Sequence, residues 1–226
     1  MANDLAGRRV LITSGPTRAA IDAVRYIANR SSGRLGSRIA CEALGRGAEV
    51  ALVAGPGSVT PDRKALPPDE RARLRILPIE TVPDLIATLE AELSGPQRPH
   101  VVVHAMAVLD YVPADPSAAK TPSGREEWQV RLVKTPKVIR IIRERVPDAC
   151  LVEFKLEVGR AEEELRQVAV ASLRANRADL VVANDLNRIR GDEHPALILA
   201  ADGTVLARPA TKAEIAARLC DVLAGR

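Results

Sequence analysis

The sequence predicts an α/β fold: a Rossmann-like, doubly wound, mainly parallel sheet with a small antiparallel hairpin extension, formed by residues 1–226 as a single domain. Three observations carry this. Short apolar runs rich in Val, Leu and Ile alternate with helical patterns along the chain. The runs are near-continuous in hydrophobicity, as strands covered on both faces require. The composition is 46% apolar but only 2% aromatic, so the core must be aliphatic, and 226 residues are enough to bury a substantial one.

In chain order, strands are expected at 8–14 (RRVLITS), 48–54 (AEVALVA), 74–79 (LRILPI), 100–107 (HVVVHAMA), 149–156 (ACLVEFKL) and 178–184 (ADLVVAN). Helices fall between them at 33–46, 81–93, 136–145, 160–176 and 211–223, giving right-handed crossovers. Glycine in "GRGAEV" stops the first helix. The last helix opens on Thr211 with Glu214 three residues on, a capping-box pattern, and stops at Gly225. "PALILAADGTVLARP" reads as an antiparallel hairpin turning at Asp202-Gly203. Two long connections, 15–32 and 108–130, follow strand ends where open α/β sheets bind ligands.

Charge and composition narrow the function classes. Net charge is +4 without a block of like charges, and aromatic stacking platforms are nearly absent, which argues against nucleic-acid binding and fits a small anionic substrate. Lys120, Lys134, Lys137 and Lys155 cluster in a chain with few lysines. Cys41, Cys150 and Cys220 are odd in number and widely spaced, so buried free thiols are expected. His100 and His104 would share a strand face some distance apart, and no metal site is read from them. With neither a signal peptide nor a long apolar run, no membrane contact and a cytoplasmic location are expected.

Several stretches carry chemistry. Gly15 follows the first strand, but the helix opens only about eighteen residues later, so the G-x-G-x-x-G dinucleotide spacing is absent. Ser31, Ser32 and Gly33 precede that helix; they read either as a serine cap or as an anion cradle. Asp110, beside Tyr111, could hold a ribose hydroxyl, an amino group or Mg²⁺, or simply form a turn before Pro113. Lys120 lies in a polar loop that could close over phosphates. Pro136 is expected at a helix start with Lys137 in its first turn, and Phe154 is either core or a wall for a base.

Taken together, "TSGPTRAAIDAVRYIANRSSGRLG", "HAMAVLDYVP", "KTPKVI", "EFKL" and "VVANDL", spread in order over roughly residues 10 to 200, resemble the phosphopantothenoylcysteine synthetase family, the phosphopantothenate–cysteine ligases of coenzyme A biosynthesis. The resemblance is to the stand-alone form without the decarboxylase domain, a single synthetase domain. It implies an amide-forming, nucleotide-dependent ligase acting on 4′-phosphopantothenate and L-cysteine. CTP or ATP would activate the carboxylate as an acyl-nucleotide with Mg²⁺ assistance, and cysteine would then displace the nucleoside monophosphate. It also implies a homodimer.

By position, the resemblance places Asn29 at the acyl-nucleotide and Lys120 as the mobile-loop lysine. Asp110, Lys137, Val138, Ile139, Pro136 and Phe154 would surround the nucleotide. Gly15, Ser31, Ser32 and Gly33 would form the phosphate and substrate side. The chain departs from the family pattern at Leu109, at Glu153 (usually glycine), at Thr121-Pro122 after the loop lysine, and at Val170, Ala171 and Ser172, where a lysine is common. Arg166, Arg174 or Arg177 would have to replace that lysine. Two other readings stand beside the ligase. One is a same-fold ligase acting on a different carboxylate or amine; the other is a non-catalytic nucleotide- or flavin-binding module.

Overall fold

The computed structural model describes residues 3–124 and 126–226. The first strand, β1 (Arg9–Ser14), is followed by a small hairpin, β2 (Arg18–Ala20) and β3 (Tyr26–Ala28), and then by α1 (Arg34–Gly45). Next come β4 (Glu49–Ala54), a short α2 (Pro68–Ala72), β5 (Leu74–Pro78), α3 (Val82–Ser94) and β6 (Val101–His104). A second hairpin, β7 (Tyr111–Pro113) and β8 (Leu132–Lys134), precedes α4 (Val138–Arg145). The chain ends with β9 (Cys150–Glu157), α5 (Glu162–Asn176), β10 (Leu180–Asp185), β11 (Ala196–Ala200), β12 (Val205–Ala207) and α6 (Lys212–Ala224).

The eight-stranded sheet has the order β12-β11-β10-β9-β6-β1-β4-β5. Its six strands from β5 to β10 are parallel, and β11 and β12 add the expected antiparallel extension. The parallel part runs outward from β1 in both directions, so the strand order reverses between β1 and β6. Crevices at the carboxyl ends of such strands are where open α/β sheets take ligands. Alternate strand residues feed two cores. Val10, Ile12, Val50 and Val103 pack against α1 and α6, while Leu11, Val102, Leu151 and Val181 pack with residues of α3, α4 and α5.

Local chemistry explains most boundaries. Thr81 caps α3 reciprocally with Asp84: its hydroxyl accepts the Asp84 N–H at 3.2 Å, and the Asp84 carboxylate accepts the Thr81 N–H at 2.9 Å. Thr211 caps α6 by accepting the Glu214 N–H, while the Glu214 carboxylate takes the N–H of Ala210 instead of Thr211. After α1, Gly47 turns left-handed (φ 92°) and sends its N–H back to Leu44.

Four expectations need correction. The strand at 100–107 ends at His104; beyond it, Ala105 and Ala107 donate to Thr13 and Gly15 and the chain peels upward beside β1. The long connections hold the β2–β3 and β7–β8 hairpins, because three-residue strands give too little periodicity to read. No serine caps α1: Gly33 occupies that position in the left-handed region (φ 70°). Pro136 precedes α4 rather than opening it, and Lys137 is the capping position. Of the three free cysteines, only Cys220 is fully buried, and burial pushes its thiol up to about 12. No helix among the described residues is long and apolar enough to cross a membrane.

Candidate functional site

A cleft of about 730 Å³ opens at the carboxyl ends of β6 and β9. Segments distant in sequence converge on it: Asn29 and Arg30 after β3, Asp110 before β7, residues 136–139 at the start of α4, and Phe154 on β9. Asn29 donates its side-chain amide to the carbonyls of Val108 (3.0 Å) and Ala107 (3.3 Å). That ties the β3–α1 connection to the segment leaving β6. Asp110 and Lys137 face each other at 3.0 Å; both are more than half exposed, so the pair contributes little stability and is free to exchange partners.

Sheet register builds the cleft floor. His104 on β6 lies beside Thr13 on β1 and Glu153 on β9, so the three side chains point to one face. His104 Nδ1 and Thr13 Oγ1 are 2.8 Å apart. Burial, assisted by Lys137, lowers the His104 pKa to about 4 and keeps the ring neutral. Glu153 is 3% exposed and accepts the Asn176 amide at 2.7 Å. Burial raises its pKa against the opposing pull of Asn176, Ser172 and the two lysines nearby.

Beside this cleft, Gly15 and Gly33 flank Ser58. Both have positive φ, and a Cβ on Gly33 would lie 2.8 Å from the Ser58 Cβ. Ser14 Oγ donates to the Gly33 carbonyl at 3.0 Å, and the Ser32 carbonyl accepts the Val59 N–H. Ser31 is half-buried and Ser32 exposed. The first turn of α1 has neither a side-chain cap nor an acidic residue, which leaves its N–H groups open to an anion.

Lys120 lies exposed between β7 and β8, outside the cleft. Its neighbour Thr121 is tethered, however: the Thr121 N–H donates to Asp22 at 3.1 Å. Burial works against the Asp22 carboxylate, but the N–H groups of Val24, Thr121 and Arg25 outweigh it and hold the pKa at about 2. The three arginines considered as phosphate partners, Arg166 and Arg174 on α5 and Arg177 just after it, do not line the cleft, and Arg166 is paired with Glu163 at 2.9 Å. The cations on its walls are Arg30, Lys137 and Lys155. Sequence reasoning had not assigned Arg30, His104, Glu153, Lys155, Ser172 or Asn176 to the site. A strand register was the missing signal for His104 and Glu153.

The profile of the DNA/pantothenate metabolism flavoprotein C-terminal domain matches residues 5–225. The chain belongs to this family. A relative in Thermococcus kodakarensis, the coenzyme A biosynthesis bifunctional protein CoaBC, is 38% identical over 217 residues. That match covers 96% of this chain and 51% of the relative, so the chain spans about half the relative's length. Among solved structures, the DNA/pantothenate metabolism flavoprotein from Streptococcus pneumoniae superposes with a TM-score of 0.84 at 32% identity, covering 97% of this chain and 99% of that one. A complex of the Cab2 mutant H337A with phosphopantothenate-cysteine shares the fold at 20% identity and a TM-score of 0.75, covering 96% and 86%. The eight-stranded sheet and the two small hairpins of this chain are the frame on which the cleft is carried.

Proposed function

We propose that the chain is a phosphopantothenate–cysteine ligase, a single synthetase domain working in the cytoplasm as a homodimer. The observation that carries this reading is the convergence of Asn29, Asp110 and residues 136–139 on one cleft beside the uncapped start of α1. Family membership and the likeness to a bifunctional protein of coenzyme A biosynthesis support it. Exposed Val24, Tyr26, Tyr111 and Leu132, on or beside the two small hairpins, supply apolar surface for a second copy to cover.

In this reading the carboxylate of 4′-phosphopantothenate attacks the α-phosphorus of CTP or ATP, and pyrophosphate leaves. The amine of L-cysteine then attacks the acyl carbon, and the nucleoside monophosphate departs. The open N–H groups of α1, with Gly15, Ser31, Ser32 and Gly33 shaping their surroundings, receive phosphate oxygens. Lys137 and Arg30 offset the negative charge on the cleft side, and Lys120 arrives from its loop as a point charge. Asn29 is fixed by its two carbonyl partners, so its amide oxygen can accept a hydrogen bond from the attacking amine without reorganising. Val138 and Ile139 flank the nucleoside, Asp110 addresses its ribose, and Pro136 and Phe154 complete the surround.

Mg²⁺ would neutralise the triphosphate. Among the described residues no three His, Cys, Asp or Glu side chains converge, so the ion would be held by phosphate oxygens with at most Asp110 from the protein, an ordinary arrangement for Mg²⁺. The decisive assay is pyrophosphate release from CTP or ATP with 4′-phosphopantothenate and Mg²⁺, followed by amide formation on adding cysteine. Silence with both nucleotides rejects the ligase; release without amide means that a different amine is the acceptor.

A further inference from the structure

The floor of the cleft holds a carboxylate for which the reaction just described has no use. Glu153 is 3% exposed, yet it lines the cleft. Its Oε2 accepts the Asn176 amide at 2.7 Å, and the same amide nitrogen lies 3.2 Å from Ser172 Oγ. Its Oε1 is buried and, among the described residues, has no partner within hydrogen-bonding distance. Leaving such an acceptor unmatched costs roughly 1–3 kcal/mol. A site built around one favours a ligand that brings a donor and rejects an analogue that cannot.

The surroundings identify the donor. Phosphates and carboxylates are repelled by Glu153 and drawn to Arg30, Lys137 and the start of α1, so the anionic parts of the ligands lie elsewhere. Met106, Val138 and Ile139 supply apolar walls on the cleft, which suit a flat heteroaromatic ring. We propose that Glu153 selects the nucleobase: its free Oε1 accepts a hydrogen bond from an exocyclic amino group, so amino bases (cytosine, adenine) are taken over their oxo counterparts (uracil, hypoxanthine). The assignment rests on the nucleotide-dependent reading above and adds a specificity residue to it. Asn176 and Ser172 are positioning residues that hold the carboxylate in place.

The network also fixes what a substitution does. In Glu153→Gln the Asn176 N–H still requires an oxygen, so the amide oxygen takes the Oε2 place and an NH₂ donor replaces the free acceptor. The experiment is calorimetric binding of CTP, UTP, ATP and ITP with Mg²⁺, alongside pyrophosphate release and thermal unfolding of each variant. The wild-type protein is expected to prefer the amino member of at least one pair by roughly 10- to 100-fold, the worth of one hydrogen bond to a charged group. Glu153→Gln should reverse that preference, and Glu153→Ala should flatten it. Equal wild-type affinities within both pairs, or a preference that both variants leave untouched, overturn the assignment. The expected preference without pyrophosphate release overturns the ligase reading and leaves Glu153 assigned. Binding of none of the four nucleotides overturns both.

Discussion

At the start of α1 the cleft is bordered by backbone and small residues, whereas across the switch point its floor is made of buried polar side chains on β6 and β9. The first region is a steric object. Gly15, Gly33 and Gly55 let three turns of chain meet around Ser14 and Ser58, and a Cβ on Gly55 would fall 2.8 Å from the carbonyl carbon of Pro16. The second is a hydrogen-bonded object: Thr13 with His104, and Glu153 with Asn176, in a row set by strand register. Shape there is tolerant and chemistry is not. A backbone cradle can receive any phosphate, so discrimination has to come from the floor.

The harshest way to break this contrast is Gly55→Ala. The added methyl meets backbone, which cannot swing aside as a side chain can. Overpacking of this kind costs typically 1–3 kcal/mol and more where relief is blocked, so about 3 kcal/mol is expected. For a domain of this size that lowers Tm by roughly 6–12 °C, with loss of nucleotide binding. A variant with wild-type melting and binding would show that the cradle is not sterically fixed.

Asn29→Ala comes next, at the bridge between the two regions. It removes the tie to Ala107 and Val108 together with the amide oxygen offered to the amine. If Asn29 serves the second step, pyrophosphate release persists while amide formation falls about 10²- to 10³-fold, the usual cost of losing one preorganised polar group. Equal loss of both steps in a single-turnover assay would reduce Asn29 to a structural tie.

The two regions were unequally legible in the sequence. The alternation of buried strands and helices, with short aliphatic runs, was enough for the parallel sheet, and Asp202-Gly203 for the terminal hairpin. Glycines 15 and 33 flagged the cradle because a required backbone conformation leaves its mark on a single residue. The floor left none. Glu153 and His104 lie forty-nine positions apart, and nothing local says that their strands are neighbours in register. His104 was read only with His100, as a strand pair without a metal, and Glu153 only as a departure from the family's glycine. Lys137 was read into a helix's first turn; it sits at the N-cap position without a side-chain cap and faces Asp110, a pairing across the β7–β8 connection that no periodicity encodes. Asp22, which anchors the loop of Lys120, was not singled out in the sequence at all.

The mildest test separates the regions by pH. The cradle glycines and serines do not titrate near neutrality, whereas the floor contains His104 with its pKa lowered to about 4 by burial and by Lys137. In the unfolded chain the ring binds a proton near 6.5. Between these values the unfolded state holds a proton that the native state refuses, so stability falls as pH drops from 6.5 toward 4. At about 1.4 kcal/mol per unit, His104 accounts for up to about 3 kcal/mol of that decline. His194, lowered to about 4 by burial and by Lys212, and His100, lowered by burial and by Arg9 and Arg8, add declines of the same sign, so His104 is one of at least three contributions to the wild-type slope. His104→Gln keeps a polar partner for Thr13 but removes one of them. Urea unfolding at pH 7 and pH 5 should therefore show a loss of stability smaller than that of the wild-type protein by about 2 kcal/mol. Identical losses would mean that His104 titrates alike in the native and unfolded states, and the floor would then add no pH dependence to stability.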